Sequence, residues 1–256
     1  MIIMEQQIYQ KFIDLERDHW WFRGRRKVYT QILKQQLKMK TKGNALDLGC
    51  GLGGFMDEIR QLGFTVYGAD IDHESLIYCN QRGFEKTCMI EDGDLPFADN
   101  SFDLVTMFDA IEHIEDDMGT MKEVARILKP GGSIIISVPA YQFLFSNNDV
   151  IAQHYRRYSR KSVKALFDSS GLTTKRNSHS NVLLFPIIAS YIAIAKLFEN
   201  IKKSSMDHNN LSFKLPVFIN NLLYKIFSAE LILSRKIDIP FGHSIVAIAK
   251  YEYPPR

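Results

Sequence analysis

Asp109, Glu112 and His113 stand at i, i+3 and i+4, which puts two carboxylates and an imidazole on one face if a helix begins near Asp109. His113 is then a natural general base for a hydroxyl, because an imidazole titrates close to neutral pH. The same three groups could instead hold a divalent metal that lowers the hydroxyl pKa. In a third reading, Glu112 and His113 only fix a loop. A second cluster, His154-Tyr155-Arg156-Arg157-Tyr158, follows Pro139-Ala140-Tyr141-Gln142-Phe143. His154 is the alternative base. Arg156 and Arg157, with aromatics and Tyr141 nearby, suit an anionic group such as phosphate or carboxylate. A helix-start charge cluster with no ligand explains them equally well.

The third chemical feature is a turn. Residues 45–54 read Ala-Leu-Asp-Leu-Gly-Cys-Gly-Leu-Gly-Gly, a buried strand running into glycines that let the backbone approach a ligand closely. From Gly54, the spacing of Phe55, Met56, Ile59 and Leu62 predicts a helix whose N-terminus faces that ligand. Gly49, Gly51 and Gly54 also satisfy a dinucleotide fingerprint, and Asp70 follows Gly49 by 21 positions, where a ribose-binding acid belongs. Asp47 argues against a dinucleotide. A carboxylate aimed into the turn repels pyrophosphate and suits an ammonium or sulfonium.

Four later segments extend the pattern: Val66 to Asp72, Glu91 to Phe97 with Asp99 to Asp103, Asp109 to His113, and Leu128 to Gly132 with Ser133 to Val138. With the turn, these resemble the class I S-adenosylmethionine-dependent methyltransferases over roughly residues 44–140. The resemblance implies S-adenosyl-L-methionine as cofactor, with Asp47, Gly49, Cys50 and Gly51 in the turn. Asp70 would grip the ribose, with Ile71 beside it. Glu91 or Asp92 would accept from the adenine amino group, Phe108 would contact the cofactor, and Phe97 would belong to the core. Quinone-pathway O-methyltransferases have a similar acid-x-x-Glu-His arrangement that binds metal, so Mg²⁺ is a possible second cofactor here. They also place an arginine ahead of the first strand. In His19-Trp20-Trp21-Phe22-Arg23-Gly24-Arg25-Arg26 that role falls to Arg25, pairing the methionyl carboxylate. The alternative is a helix-to-helix turn with solvated arginines. The Trp-Trp-Phe-Arg and His-Tyr-Arg-Arg-Tyr segments and the apolar tail resemble a bacterial methyltransferase group associated with cell-surface polysaccharides and glycolipids.

The elements that position these residues alternate. Strands are expected near 44–48, 65–69, 86–90, 102–107, 133–138, 173–179 and 244–251. Helices are expected near 5–17, 25–40, 54–62, 73–81, 117–127 and 160–169. This is an α/β fold with a doubly wound, mostly parallel, Rossmann-like seven-stranded sheet, N-terminal helices and a helical insertion before the last strand. Residues 1–40 read as a helical lid, 41–180 with 242–256 as the methyltransferase domain, and 181–241 as a helical cap.

Val182 to Ala195 carries no charge but is too short for a span of ~20 residues. Phe218, Ile219, Leu222, Leu223, Ile226 and Phe227 are expected on one helix face, opposite Asn220, Asn221, Lys225 and Ser228. The two apolar segments either pack on the domain or receive a greasy acceptor, with Lys196, Lys202 and Lys203 favouring a membrane surface. A net charge of +3 over 256 residues is too small to imply nucleic acid. Three cysteines without metal spacing, and a Met1 to Gln10 segment unlike a signal peptide, read as a cytoplasmic enzyme, potentially at the inner membrane face. The expected partner is a small-molecule, glycan or lipid-linked acceptor. Oligomeric state is not legible.

Overall fold

The structure, a computed structural model, describes residues 10, 12–36, 43–91, 94–201, 215–234 and 237–252. Seven strands form one sheet: β1 (Asn44–Leu48), β2 (Thr65–Asp70), β3 (Thr87–Met89), β4 (Phe102–Phe108), β5 (Leu128–Pro139), β6 (Leu172–Ser180) and β7 (Ser244–Tyr251). Their order is β3-β2-β1-β4-β5-β7-β6. All neighbours are parallel except β7, which runs antiparallel to β5 and β6. The winding reverses between β1 and β4, and in such sheets the crevice beyond the carboxyl ends at that point takes ligands. The doubly wound sheet is the one the alternating elements predict.

Both faces of the sheet are covered, so the strands read as near-continuous apolar runs. Along β5, Ile134, Ile136 and Val138 enter one core and Ile135 the other. Helices α2 (Gly54–Gln61), α3 (His73–Gln81), α4 (Asp117–Ile127), α5 (Asn147–Ile151) and α6 (Arg160–Ser169) fill the connections.

The expected turn at 19–26 is replaced by helix. α1 runs from Trp20 to Gln36, and it buries Val28, Tyr29, Ile32 and Leu33 in the second core. Packing explains the early start. Trp20 and Trp21 meet the ring of Phe227 at 6.3 and 5.6 Å, and Gly24 makes room for that ring, since a Cβ there would lie 2.4 Å from it.

The insertion supplies α7 (Phe185–Ile201), α8 (Val217–Ala229) and α9 (Leu231–Ser234). Part of the polar side of α8 docks on α1. Asn220 Oδ1 accepts the Trp20 amide at 2.8 Å, Asn220 Nδ2 donates to Asp18 O at 2.8 Å, and Arg23 Nη1 donates to Asn221 Oδ1 at 3.0 Å. These contacts give the α1 terminus a partner for its free amide, while Phe218 and Leu222 stay 73% and 55% exposed. In α7, Ile188 and Ile192 face the protein, while Ile187, Tyr191 and Ile194 form an exposed row. No helix among the described residues is long and apolar enough to cross a membrane.

Candidate active site

The turn after β1 is built from backbone. The Gly49 and Cys50 amides both donate to Ala69 O, at 2.8 and 3.1 Å. Gly49, Gly51 and Gly53 have φ of 75°, 50° and 77°, in the left-handed region that favours glycine. A side chain at Gly49 would strike Ala110, whereas the space over Gly51 is open. Asp70, ending β2, fastens this turn: its Oδ2 accepts the Gly51 amide at 2.7 Å and its Oδ1 the Asp72 amide at 3.0 Å. Its remaining lone pairs can still receive hydroxyl donors. Cys50 is a buried thiol, and its pKa is driven up by Cys79 and by burial, which leaves it inert.

Asp47 lies beneath the turn, buried, with Oδ1 accepting from Thr106 Oγ1 at 2.6 Å. Burial pushes its pKa up to about 7, with Glu16 and Asp70 adding negative charge. Ile71 is 73% exposed beside Asp70, an open apolar surface for a flat ring. Glu91 lines a cavity of about 720 Å³ with Leu95, Glu123 and Arg126. Asp92 lies outside the described residues. Phe97 packs at a right angle on Phe102 at 5.0 Å, in the core.

At the end of β4 the expected helix from Asp109 does not form. Asp109 has φ 50°, and only a 3-10 turn, Ile111–His113, follows. Asp109 therefore shares no helix face with the other two groups, and its carboxylate is held by other partners. Its Oδ2 pairs with Arg25 Nη1 at 2.7 Å, and its Oδ1 accepts from Ser137 Oγ at 2.6 Å. Arg25, placed by the resemblance on a cofactor carboxylate, is buried against Asp109, and its Nε has no partner. Phe108 stacks on Phe55 at 4.0 Å and Tyr29 at 5.4 Å, closing the floor.

His113 meets His154 instead, ring to ring at 4.6 Å. Glu112 beside them is wholly buried, and neither carboxylate oxygen has a partner among the described residues. Burial, then the nearby Asp109, raises its pKa well above the usual value. Desolvation and the adjacent His154 lower that of His113, which keeps this imidazole neutral at neutral pH.

His154 is oriented by Asp149, whose Oδ1 lies 2.9 Å from Nδ1. Asp149 also takes Arg157 Nε at 2.8 Å and Nη2 at 2.9 Å. The expected anion clamp is thus committed internally: Arg157 to Asp149, and Arg156 to Asp117 at 2.8 Å and to Glu115 O at 2.7 Å. Tyr141, at φ 64°, stacks on His179 at 5.2 Å and packs near Phe185.

Four side chains escaped the sequence reading. Ser137 holds Asp109, and alternation along β5 could have found it. Asp149 closes a capping box with Ser146, legible as Ser-x-x-Asp. His243 sits edge-on to Trp21 at 5.5 Å, its pKa pushed down to about 4 by burial and Arg157; only the antiparallel β7 brings it to this end. Glu16 reaches the N-terminus of α2, where a Cβ on Gly54 would lie 2.2 Å from its Oε1. No local pattern announces that contact.

Residues 46–136 match the family described as a methyltransferase domain. Norajmaline N-methyltransferase of Rauvolfia serpentina is 30% identical over 52% of this chain and 47% of its own length. Ubiquinone biosynthesis O-methyltransferase of Coxiella burnetii is 30% identical over 54% of this chain and 65% of its own. The chain thus spans about half to just under two thirds of these relatives. Among solved structures, phosphoethanolamine N-methyltransferase 2 of Haemonchus contortus, in complex with S-adenosyl-L-methionine, superposes with a TM-score of 0.56. It is 20% identical, across 87% of this chain and 52% of that one, a likeness of fold.

Proposed function

We propose that this chain, a class I S-adenosylmethionine-dependent methyltransferase, methylates an oxygen atom of a small or amphipathic acceptor. The observation that carries the choice of oxygen is the His113–His154 pair beside the buried, unpartnered Glu112. A hydroxyl must lose a proton as it is methylated, and a neutral imidazole at this crevice can take it. The ubiquinone-pathway relative, an O-methyltransferase by name, favours the same atom; the norajmaline relative, by name an N-methyltransferase, is the alternative.

Asp70 and the Gly51 region would hold the nucleoside, and Asp47 would face the cationic end of the methyl donor. The acceptor oxygen forms the new C–O bond as the S–CH3 bond breaks. The bonding pair stays on sulfur, giving the neutral thioether, and the hydroxyl proton passes to His113. Because the donor is already activated, orientation supplies much of the rate. Asp149 keeps His154, and through it the imidazole pair, in register.

Glu112, His113 and His154 each offer a ligand atom, all within 4.8 Å of one another, and this set fits a divalent cation. Two imidazoles and one carboxylate suit Zn²⁺ better than Mg²⁺, which prefers oxygen. Such an ion would lower the hydroxyl pKa. Asp109 is outside the set. The exposed row Ile187, Tyr191 and Ile194 supports an acceptor with an apolar part, presented near a membrane surface.

The test is His113→Ala, assayed for S-adenosylhomocysteine formation against native lipid and sugar extracts screened for one added methyl. Turnover should fall by roughly 10²–10⁴-fold with S-adenosylhomocysteine affinity unchanged. Full turnover would move the base elsewhere. Loss of activity on chelation, restored by Zn²⁺, would assign the metal version.

A further inference from the structure

Along α1, with α2 and α8 beside it, lies an open cavity of about 370 Å³ rich in cationic side chains. Arg17 at its rim is already neutralised by Asp14 at 3.0 Å and Asp18 at 2.8 Å. Arg23, Arg26, Lys27 and Lys34 remain, against one lining carboxylate, Glu58. Arg23, Lys27 and Lys34 recur at i, i+4 and i+11 along α1, one stripe of the helix. Arg23 and Lys27 crowd the same Tyr224 ring, at 4.3 and 5.2 Å from its centre. Neither lysine forms an ion pair among the described residues.

Like charges at this spacing repel, and a concave wall focuses their field rather than dispersing it. The effect reaches Arg26, whose pKa burial lowers and the nearby Arg25 and Arg23 lower further, against Glu16 and Glu58. A second observation is independent of charge. Thr30 lines the same cavity, is 5% exposed, and its Oγ1 has no hydrogen-bond partner among the described residues. A buried hydroxyl is ordinarily paired. Here its partner is missing beside an excess of cations.

We infer that this cavity binds a phosphate-bearing anion, gripped by Arg23, Lys27 and Lys34 and hydrogen-bonded by the Thr30 hydroxyl. Guanidinium and ammonium donors match phosphate oxygens. The volume exceeds that of a bare phosphate and falls in the range of small-ligand sites, leaving room for an attached glycerol or sugar. The phosphate can come from a lipid headgroup or a soluble ester. Phe218 and Leu222, exposed on the helix that supplies Tyr224, are compatible with the first. Lys27, Lys34 and Thr30 take no part in the proposed cofactor and acceptor contacts, so the inference holds whether or not the oxygen-methylation reading does.

The experiment uses the full chain at low ionic strength. Pyrophosphate binding is followed by calorimetry, and retention on phosphatidylglycerol–phosphatidylcholine vesicles by sedimentation. The charge-reversed Lys27→Glu/Lys34→Glu protein should bind pyrophosphate at least about ten-fold more weakly. Thr30→Val, which keeps shape and charge, should show a smaller loss. S-adenosylhomocysteine affinity, unchanged in both, shows that they are folded, and Thr30→Val alone decides if the double variant is not. Vesicle retention lost along with pyrophosphate binding identifies a headgroup. Pyrophosphate binding without vesicle retention identifies a soluble phosphate. Either result supports the site. No binding of either probe by the native protein, or binding that both variants keep in full, overturns it.

Discussion

Asp47 and Asp149 are both buried aspartates, 3% and 1% exposed, and their surroundings set them to opposite tasks. Asp149 is saturated: the His154 ring, two nitrogens of Arg157 and the amide and hydroxyl of Ser146 all reach it. Burial alone would raise its pKa, but those partners hold it well below the carboxylate range. Asp47 has the Thr106 hydroxyl and, among the described residues, no ion pair, and burial leaves it at about 7. A buried carboxylate already paired with cations is finished scaffold, whereas one without them is a place prepared for a positive charge. Glu112 belongs with Asp47. One such group lies under the glycine turn and the other beside the imidazole pair, which on the proposed function divides the crevice into a cofactor half and an acceptor half.

The sharpest way to break this contrast is Asp149→Ala. It leaves Arg157 buried and unpaired, so it should cost roughly 3–5 kcal/mol in urea denaturation. It should also release His154 and slow turnover. The pH dependence has a definite sign. A folded pKa below the unfolded one gives stability that is present above the ordinary carboxylate range and is lost as pH falls through the folded value. A loss under 1 kcal/mol would mean that the Asp149 network is a surface feature and not scaffold.

Asp47 carries the opposite sign. Its folded pKa lies above the unfolded one, so in the ligand-free protein its contribution is fully present below about pH 4 and fades as pH rises through about 7. Asp47→Asn removes that penalty. At pH 8 the variant should be more stable than the native chain, by up to about 4 kcal/mol, and it should bind S-adenosylhomocysteine more weakly. Equal stability together with equal affinity would show that no cation is expected at Asp47.

The same division explains what the sequence disclosed. The cofactor half is local: Asp47, the three positive-φ glycines and Asp70 sit at the ends of adjacent strands, so spacing alone implies their meeting. The sheet and most strand limits were legible for the same reason, because alternation and apolar runs are local signals. The acceptor half is assembled across the chain. Arg25 meets Asp109, His113 meets His154, and Asn220 meets Trp20, and none of these pairs has a fixed spacing. That is why Asp109 was assigned to a helix face it does not share, and Arg156 and Arg157 to a clamp already closed by Asp117 and Asp149.

The smallest expected effect tests whether the cofactor half is fully open at rest. Residues 12–18 form a helical strap, its end held by Arg26 Nη1 donating to Glu16 O at 2.6 Å and Nη2 to Arg17 O at 3.2 Å. From it, Glu16 places a carboxylate at the N-terminus of α2, against Gly54. A helix N-terminus favours an anion, and on the proposed function the amino-acid tail of the methyl donor would bring one to this region. Glu16 therefore competes for the seat of that tail. Glu16→Gln should strengthen S-adenosylhomocysteine binding by about 0.5–1 kcal/mol. Binding of 5′-methylthioadenosine, which has no carboxylate, should stay the same. If both ligands gain equally, the strap obstructs the crevice by bulk and not by charge. If S-adenosylhomocysteine binds more weakly, Glu16 is a third acid recruited to the donor's ammonium, and the cation expected at Asp47 is shared between them.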